Sequence, residues 1–414
     1  MDKRLVLCAL FLLVFPLPSP AQTSDSAAVR AAFDSIVAAN TYTATLQDGR
    51  LMGPGADWLE ARGQAADHFL MGERHGTTQI PKVSASLYER LADDGYGPVA
   101  LELGPFAGRA ATEALQDGGY SALKALVTRY KSPPIAFLHW KEESKMAARM
   151  VEAGAPLWGV DYEFVTSLPM HLDALAEQAE TNREAAAVRE ARQRMATDWG
   201  GADGWALGKA DPAALCELRA AFEPRVDSTA LARIDALLTS NAIYAPYVRE
   251  VGSFFESRTR REALMKEQLI DHIRQWEDKH GTAPNVFHKN AHVGKRQDED
   301  LYIPLGAFVS EWARVRDEKT FHVLADCHGG KIPKTGQGGG DTCTAWLGGD
   351  NSPFTKHLRE DKITVFDLRA LRPRFSDWTF LPDALRQDIV SFDAYIAIPD
   401  VQPSTPLNPV SKSE

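Results

Sequence analysis

The stretch HFLMGERHGTT, from His68 to Thr78, decides the fold of this chain. Its first five residues are mostly apolar and end in a glycine, and Glu73 and His75 follow. A short apolar run bounded by a turn is typical of a strand covered on both faces of a parallel sheet. Ligands of open α/β sheets bind at the carboxyl ends of the strands. The carboxylate and the imidazole are therefore predicted to lie at the functional edge.

Similar runs recur along the chain, each followed by a glycine, a proline or a helical pattern. After the first run, Val83, Leu87 and Leu91 share one helix face, and Gly95 stands just beyond them as a stop. The other runs occupy 98–103, 156–160, 285–288, 321–325, 363–368 and 394–398. Alternating strands and helices are typical of βα units. The sequence predicts an α/β fold with a central mixed, largely parallel sheet flanked by helices.

The strand signal is absent between Ser167 and Trp276, where Ala, Glu, Arg and Leu recur at helical spacing. This pattern predicts a large helical insertion over about 167–276. Within it, Glu180 to Met195 is charged nearly all round, which favours a solvated helix or a lid. The tail, 402–414, has three prolines and four serine or threonine residues and is predicted to be disordered.

The first 21 residues have the three zones of an export signal. Lys3 and Arg4 begin it, and the apolar run from Leu5 to Leu17 is shorter than the roughly 20 residues that span a bilayer. Small residues then predict cleavage between Ala21 and Gln22. No later stretch is as apolar, so we expect a periplasmic or secreted protein without a transmembrane segment in its mature chain.

The net charge indicates which classes of partner are disfavoured, and the cysteines indicate which disulfide can form. A formal net charge of −10 with 44% apolar residues argues against nucleic acid and anionic membrane surfaces as partners. Three cysteines remain after the predicted cleavage. Cys327 and Cys343 flank a glycine-rich loop and are the predicted disulfide, and Cys216, in a helical stretch, is predicted to be a buried thiol.

Ionisable residues stand at the ends of other predicted strands too. Glu102 lies inside an apolar run, and a buried carboxylate needs a partner, for which His75 is the candidate. Asp161 follows the third run, and His288 and His292 accompany the fourth. Each also has a structural interpretation, as a turn cap, an ordinary ion pair or a core histidine, and a solvated arginine is the default for Arg261.

Several common catalytic signatures are absent. No GxSxG elbow occurs, so a nucleophilic serine is poorly supported. The glycines of 335–340 follow no strand and open no helix, which indicates a flexible loop rather than a phosphate cradle. Zinc bound through thiolates is disfavoured by the small number of cysteines.

Several segments, in order along the chain, resemble the erythromycin esterases and their relatives in succinoglycan biosynthesis. GERHGT (72–77) resembles the GE-x-x-HGT motif of that family, and the strand with Glu102 resembles its next strand. The likeness continues in Tyr120, the W-x-x-E segment 140–143, the G-x-D strand 159–161, REALMKEQ (261–268), NAHV (290–293), VFDLR (365–369) and FDAYI (392–396).

Three departures from the family pattern stand out. One residue rather than two separates Glu73 from His75, as in the GExH of haem-binding ChaN-like lipoproteins and their Tiki and TraB relatives. Lys289 stands where the family has the first histidine of HN-x-H, and Gln268 replaces an asparagine.

The resemblance implies that 22–414 forms one hydrolytic α/β domain. In such a domain His75 activates water without a covalent acyl-enzyme, and Glu73 and Glu102 orient it. The resemblance also implies that Arg261 and His292 face the same cavity. The residues expected to bind substrate are Arg261, His292, His288, Asp161 and Glu143.

The leading hypothesis is an exported hydrolase that opens an ester or lactone of a partly apolar small molecule and needs no cofactor. A second hypothesis is a hydrolase or peptidase dependent on one divalent metal ion, because several oxygen and nitrogen ligands are available. Those ligands are Glu73, His75, Glu102, Asp161 and His292. A third hypothesis is a binding protein without catalytic activity, for haem or another ligand.

Overall fold

A computed structural model describes residues 27–195, 206–225, 228–249, 253–296, 302–333, 340–343, 347 and 352–408. The predicted signal peptide and its cleavage site lie outside the described residues. The strands are β1 (Thr41–Gln47), β2 (Arg50–Met52), β3 (His68–Glu73), β4 (Tyr96–Leu101), β5 (Leu157–Gly159), β6 (Asn285–Lys289), β7 (Thr320–Pro333), β8 (Gly340–Thr342), β9 (Ile363–Asp367) and β10 (Ala394–Val401).

Helices separate most of these strands along the chain. They are α1 (Ala27–Ala39), α2 (Pro54–Gln64), α3 (Ile80–Ala92), α4 (Pro105–Thr128), α5 (Lys141–Glu152), α6 (Leu168–Gln178), α7 (Asn182–Met195), α8 (Ala206–Lys209), α9 (Pro212–Phe222), α10 (Thr229–Arg249), α11 (Phe254–His280), α12 (Leu305–Val315) and α13 (Asp383–Ser391). Two 3₁₀ segments, Thr355–His357 and Leu368–Asp377, follow α12 and precede α13.

The strands form one sheet in the order β2-β1-β9-β10-β7-β3-β6-β4-β5, with β8 paired to β7. The six strands from β10 to β5 in this order are parallel to one another. Strands β9, β1 and β2 extend one side of the sheet in antiparallel pairs. The predicted mixed, largely parallel sheet flanked by helices is therefore confirmed.

Burial on both faces explains the unbroken apolar strands. All six residues of β3 are buried: Phe69 and Met71 belong to one hydrophobic core, and Leu70 belongs to the other. Helices α2 to α5 cover the first face. The second face is covered by α1, α11, α12 and α13. A strand between two helical layers has no solvent face, so its sequence does not alternate.

The predicted helical insertion, about 167–276, contains helices α6 to α10 and most of α11. Helices α6 to α10 share a hydrophobic core of their own. In contrast, α11 packs Met265, Leu269 and Ile273 against the sheet. Helix α11 therefore links the insertion to the sheet, and the predicted boundary near Trp276 falls within this helix. Helix α7, which falls in the highly charged segment, still buries Val188 and Ala191 in the insertion core.

The predicted disorder of the tail is wrong for residues 402–408. The amide of Thr78 donates to Gln402 at 2.8 Å, and the amide of Ser404 donates to Gly76 at 2.8 Å. The tail then accepts from the amide of Lys141, again at 2.8 Å. Composition does not reveal such backbone partners. Through these bonds the tail connects the loop after β3 to the start of α5; residues 409–414 lie outside the described residues.

A disulfide joins Cys327 in β7 to Cys343 just beyond β8, with 6.1 Å between the Cα atoms. Cys216 is exposed, so the expectation of a buried thiol is wrong. Helix α9 buries Leu215 and Leu218, and Cys216 lies on its other side. Among the described residues, no helix is long and apolar enough to cross a membrane.

Backbone contact between β5 and the start of α4 generates a prediction about stability. A methyl group at Gly159 would overlap the carbonyl oxygen of Gly104. Because overpacking forces the backbone to shift, Gly159→Ala should lower the free energy of unfolding by about 1–3 kcal/mol in urea denaturation. Gly294→Ala is the control, since the nearest atom to its added methyl lies at 3.6 Å. Equal stability of the two variants would contradict this packing.

Candidate active site

Four neighbouring strands deliver the candidate residues to one edge of the sheet. Glu73 and Lys289 are the last residues of β3 and β6. Glu102 follows β4 directly, and Asp161 lies two residues beyond β5. Since β3, β6, β4 and β5 are adjacent and parallel, their carboxyl ends meet. Helix α11 passes over this edge and adds Arg261 and Glu262 from its third turn.

The imidazole of His75 lies between two carboxylates. Its Nδ1 is 3.0 Å from Oε1 of Glu73, and its Nε2 is 3.4 Å from Oε2 of Glu102. The ring stacks on Phe137 with 4.2 Å between centroids. Gly76, in the left-handed region at φ 83°, allows the chain to turn sharply after the histidine. The His75 side chain is 27% exposed, so it is held firmly but remains accessible.

Glu102 is the centre of the cluster. One oxygen receives a hydrogen bond from Nη2 of Arg261 at 2.6 Å and lies 3.6 Å from Nε2 of His292. The other oxygen faces His75 and accepts from the amide of Ala291 at 3.2 Å. Glu102 is therefore a buried carboxylate with donors on both oxygens.

These contacts shift the pKa values in opposite directions. Burial alone would raise the pKa of Glu102, but His292 and His75, which face its two oxygens, and the charge of Arg261 hold it well below the ordinary range. Burial alone would lower the pKa of His75, but its bonds to Glu102 and Glu73 raise it to about 10. The pKa of His292 is raised to about 9, because Glu102 and Glu262 outweigh burial.

Arg261 joins the cluster to β5. Its Nε lies 3.0 Å and 3.2 Å from the two oxygens of Asp161, and its Nη2 also contacts this carboxylate. The guanidinium stacks over the ring of Tyr162 at 4.7 Å. A planar fork that pairs with two carboxylates has little freedom to move, so Arg261 fixes the distance between Glu102 and Asp161.

Lys289 supports the cluster from within the protein. Its Nζ contacts Glu73 and lies 2.9 Å from Glu143, which stands in the first turn of α5. All three side chains are at most 4% exposed. Burial raises the pKa of Glu143 to about 7 despite Lys289, and Glu73 adds to the rise. The pKa of Glu73 is lowered, since Lys289 and His75 outweigh its burial.

A cleft of about 380 Å³ opens beside the cluster. Arg261 and His292 belong both to the cluster and to the wall of the cleft. The remaining lining residues come from the β5 end, α10, α11 and two loops; they are Tyr162, Tyr244, Tyr247, Arg258, Glu262, Ala291 and Tyr302. Aromatic rings and a few convergent polar groups are typical of sites for small organic molecules.

Comparisons with known proteins agree with this architecture. A crystal structure of a succinoglycan biosynthesis protein is 18% identical, with a TM-score of 0.62 over 92% of this chain and 99% of that one. A variant of the erythromycin esterase EreC in its open conformation is 15% identical, with a TM-score of 0.61 over 89% and 100%. The chain has the erythromycin-esterase fold. A Bacillus cereus protein shares it, with 12% identity and a TM-score of 0.57 over 94% and 100%.

No protein-family model and no curated protein matches the sequence. The resemblance to erythromycin esterases and succinoglycan-biosynthesis proteins that the sequence motifs predict is confirmed at the level of the fold.

On this erythromycin-esterase fold, the predicted site residues separate into two groups. Glu73, His75, Glu102, Arg261 and His292 form one connected cluster. Asp161 and Glu143 are buried, and within the described residues they contact that cluster through Arg261 and Lys289. Neither lines the cleft, so the structure places them as supports of the charged residues.

The expectation that His288 binds substrate is wrong. Its side chain is fully buried in the second core face, where its Nε2 lies 3.1 Å from Nδ1 of His68. Side chains alternate along a strand, so Lys289 faces the cluster and His288 faces away from it. Burial holds the pKa of His288 well below its ordinary value, so this ring is neutral.

Sequence reasoning missed Lys289, Glu262 and the tyrosines of the cleft. Lys289 could have been found, because a cation at the end of an apolar strand needs a partner just as Glu102 does. Glu262 could not be predicted in this way, because it lies on a highly charged helix where a glutamate, like its neighbour Arg261, is expected to be solvated. The tyrosines are spread from 162 to 302 and meet only in the folded chain.

The cluster does not fit the alternative of a bound metal ion. Arg261 already pairs with Glu102 and Asp161, and Lys289 pairs with Glu73, so protein cations engage the carboxylates that a metal would need. In the described part of the chain, one group of three ligand atoms lies close enough for a metal, at Asp326, Cys327 and Cys343. Its two sulfurs are joined in the disulfide.

The pairing of Arg261 generates a prediction about stability. Arg261→Met should lower the free energy of unfolding by about 3–5 kcal/mol at pH 8, because it leaves Glu102 and Asp161 buried without their cation. The loss should shrink as the pH falls below 4.5, the ordinary pKa of a glutamate, because a protonated Glu102 needs no cation. Arg260→Met is the control, since this neighbour forms an exposed pair with Glu256 and should change stability by less than about 0.5 kcal/mol. Equal effects in urea denaturation would contradict the assignment.

Proposed function

We propose that this chain is a hydrolase that cleaves a carboxylic ester or lactone by attack of a water molecule that His75 activates. The observation that carries the proposal is the placement of His75 between Glu73 and Glu102, with partial exposure, beside an arginine. A partly exposed histidine whose Nδ1 is fixed by one carboxylate and whose Nε2 lies beside a second is suited to general base catalysis.

The fixed nitrogen of His75 determines which nitrogen reacts. Glu73 accepts the hydrogen bond from Nδ1–H, so the neutral imidazole carries its lone pair on Nε2. A water molecule bound there gives its proton to Nε2 as its oxygen attacks the carbonyl carbon. Glu102 then stabilises the imidazolium, in the way that a buried carboxylate supports a catalytic histidine elsewhere.

Developing negative charge on the carbonyl oxygen also needs stabilisation. Arg261 and His292 line the cleft and carry positive charge next to Glu102. Preorganised cations at such a position stabilise the oxyanion. The described residues of this cluster include no serine, threonine or cysteine, so the proposed reaction has no covalent acyl-enzyme.

The cleft supports a partly apolar small molecule as substrate, since tyrosine rings form much of its wall. The likeness to EreC, named an erythromycin esterase, supports ester chemistry on this fold, although a fold alone does not fix a reaction. We further propose that the chain is exported to the periplasm or secreted, on the strength of the signal-like residues 1–21, and that it acts without a cofactor.

Replacement of His75 tests the proposal directly. His75→Asn should lower kcat/KM at least about 100-fold on a panel of p-nitrophenyl esters and lactones, as expected for loss of a general base. His280→Asn, an exposed histidine on α11, is the matched control and should keep the wild-type rate. Full activity of His75→Asn, with its fold intact by circular dichroism, would exclude this mechanism.

Loss of wild-type activity in EDTA, restored by one divalent ion, would favour the metal-dependent alternative.

The pKa of His75 predicts an alkaline pH profile. The base is the neutral imidazole, and the flanking carboxylates raise its pKa to about 10. Between pH 7 and 9, kcat/KM on a p-nitrophenyl ester should therefore rise about tenfold per pH unit. The free energy of unfolding should change in the opposite direction, because the stabilisation from the imidazolium pairs is complete below about pH 6.5 and is lost as the pH rises through about 10. A rate that levels off below pH 8 would contradict the prediction.

A further inference from the structure

A second histidine repeats the environment of the first. Nδ1 of His292 contacts Glu262, and its Nε2 lies 3.6 Å from Glu102. His75 likewise has Glu73 at Nδ1 and Glu102 at Nε2. Each imidazole thus lies between a carboxylate of its own and one that both share, and the two Nε2 atoms face different oxygens of Glu102.

The two histidines differ in their relation to the cleft. His292 lines it together with Arg261 and Tyr302, whereas His75 is not among the residues of its wall. A substrate in the cleft therefore meets His292 directly. Its Nε2 contact with Glu102 is longer than a hydrogen bond, so this nitrogen can reach a substrate oxygen without breaking a strong bond.

The contacts of Glu262 point to a role that involves His292. It is 2% exposed on α11, and apart from His292 neither of its oxygens has a hydrogen-bond partner among the described residues. A buried carboxylate without a partner would be costly. The burial of Glu262 is explained if its carboxylate fixes the orientation of the His292 ring through Nδ1 and favours the protonated form of that ring.

We infer that His292 is the general acid that protonates the leaving oxygen of the ester, and that Glu262 is the positioning residue that orients it. This inference rests on the hydrolase function proposed above and gives His292, beyond its positive charge beside the carbonyl oxygen, the transfer of a proton to the leaving group.

Protons and electron pairs are conserved in the proposed reaction. Water loses a proton to Nε2 of His75 as its oxygen bonds to the carbonyl carbon. The bond from that carbon to the leaving oxygen then breaks, the electron pair stays on the leaving oxygen, and Nε2 of His292 gives it a proton. The proton on His75 returns to His292 past Glu102, which faces both Nε2 atoms. The sum is ester plus water to acid plus alcohol.

The charges around His292 suit an acid. Two carboxylates face it, Glu102 from the end of β4 and Glu262 from α11, and both favour the imidazolium. Arg261 opposes them, and Arg258 and Tyr302 also line the cleft. The carboxylates prevail, so the pKa of His292 is raised to about 9 and the ring carries its proton at neutral pH.

Leaving groups of different basicity test the inference. A p-nitrophenolate leaves without protonation, whereas an ethoxide needs an acid. His292→Asn and Glu262→Gln should therefore lose at least about ten times more kcat on ethyl butyrate than on p-nitrophenyl butyrate. His75→Asn should lose equally on both esters. Glu267→Gln, the same change at an exposed position of α11, should match the wild type on both.

One further readout, together with these kinetics, separates the possible outcomes. NMR titration of labelled histidines, which needs no activity, should show the pKa of His292 falling by at least one unit in Glu262→Gln and staying unchanged in Glu267→Gln. An unchanged pKa would overturn the role of Glu262. Equal losses of His292→Asn on the two butyrates, in an active wild type, would overturn the acid role alone. A wild type inactive on every ester and lactone tried would remove the proposed function and the acid role together.

Discussion

The structure at the functional edge depends on one buried carboxylate, Glu102. It is ionised only because Arg261, His75 and His292 surround it and the amide of Ala291 donates to it. A carboxylate in such surroundings without these partners would take up a proton or destabilise the fold. The partners come from three separate segments of the chain, so Glu102 can be satisfied only when all three have folded against β4.

The parallel sheet makes that convergence possible. Adjacent strand ends place Glu73, Lys289 and Glu102 side by side, and α11 brings Arg261 over them while packing its apolar face on the sheet. The tail contributes from the far end of the chain, since 402–408 binds both the loop after His75 and the start of α5. The helical insertion in turn supplies two tyrosines to the cleft. Each layer of the fold thus contributes a wall of the candidate site.

The sequence predicts the sheet well because strands covered on both faces leave an unmistakable apolar signature, as in HFLMG. It also predicts that Glu73, His75 and Glu102 meet, because a carboxylate within an apolar strand implies a partner at a neighbouring strand end. Orientation is harder to predict. His288 and Lys289 are adjacent, and only the alternation of the folded strand shows which of them faces the cluster. The tail was beyond prediction, because backbone hydrogen bonds carry no side-chain signal.

A purely structural interpretation of the cluster meets an energetic objection. Replacing buried ion pairs by apolar side chains of similar volume is often neutral or stabilising, so a network of this size is not the simplest way to hold four strand ends together. Strongly shifted pKa values beside a cleft are more typical of catalytic sites. The exposure is also selective: Lys289, Glu143 and Asp161 are shut away, whereas His75 and His292 keep access to solvent or to the cleft. The charged residues that only support the network are buried, and the two that could exchange protons with a substrate are partly exposed.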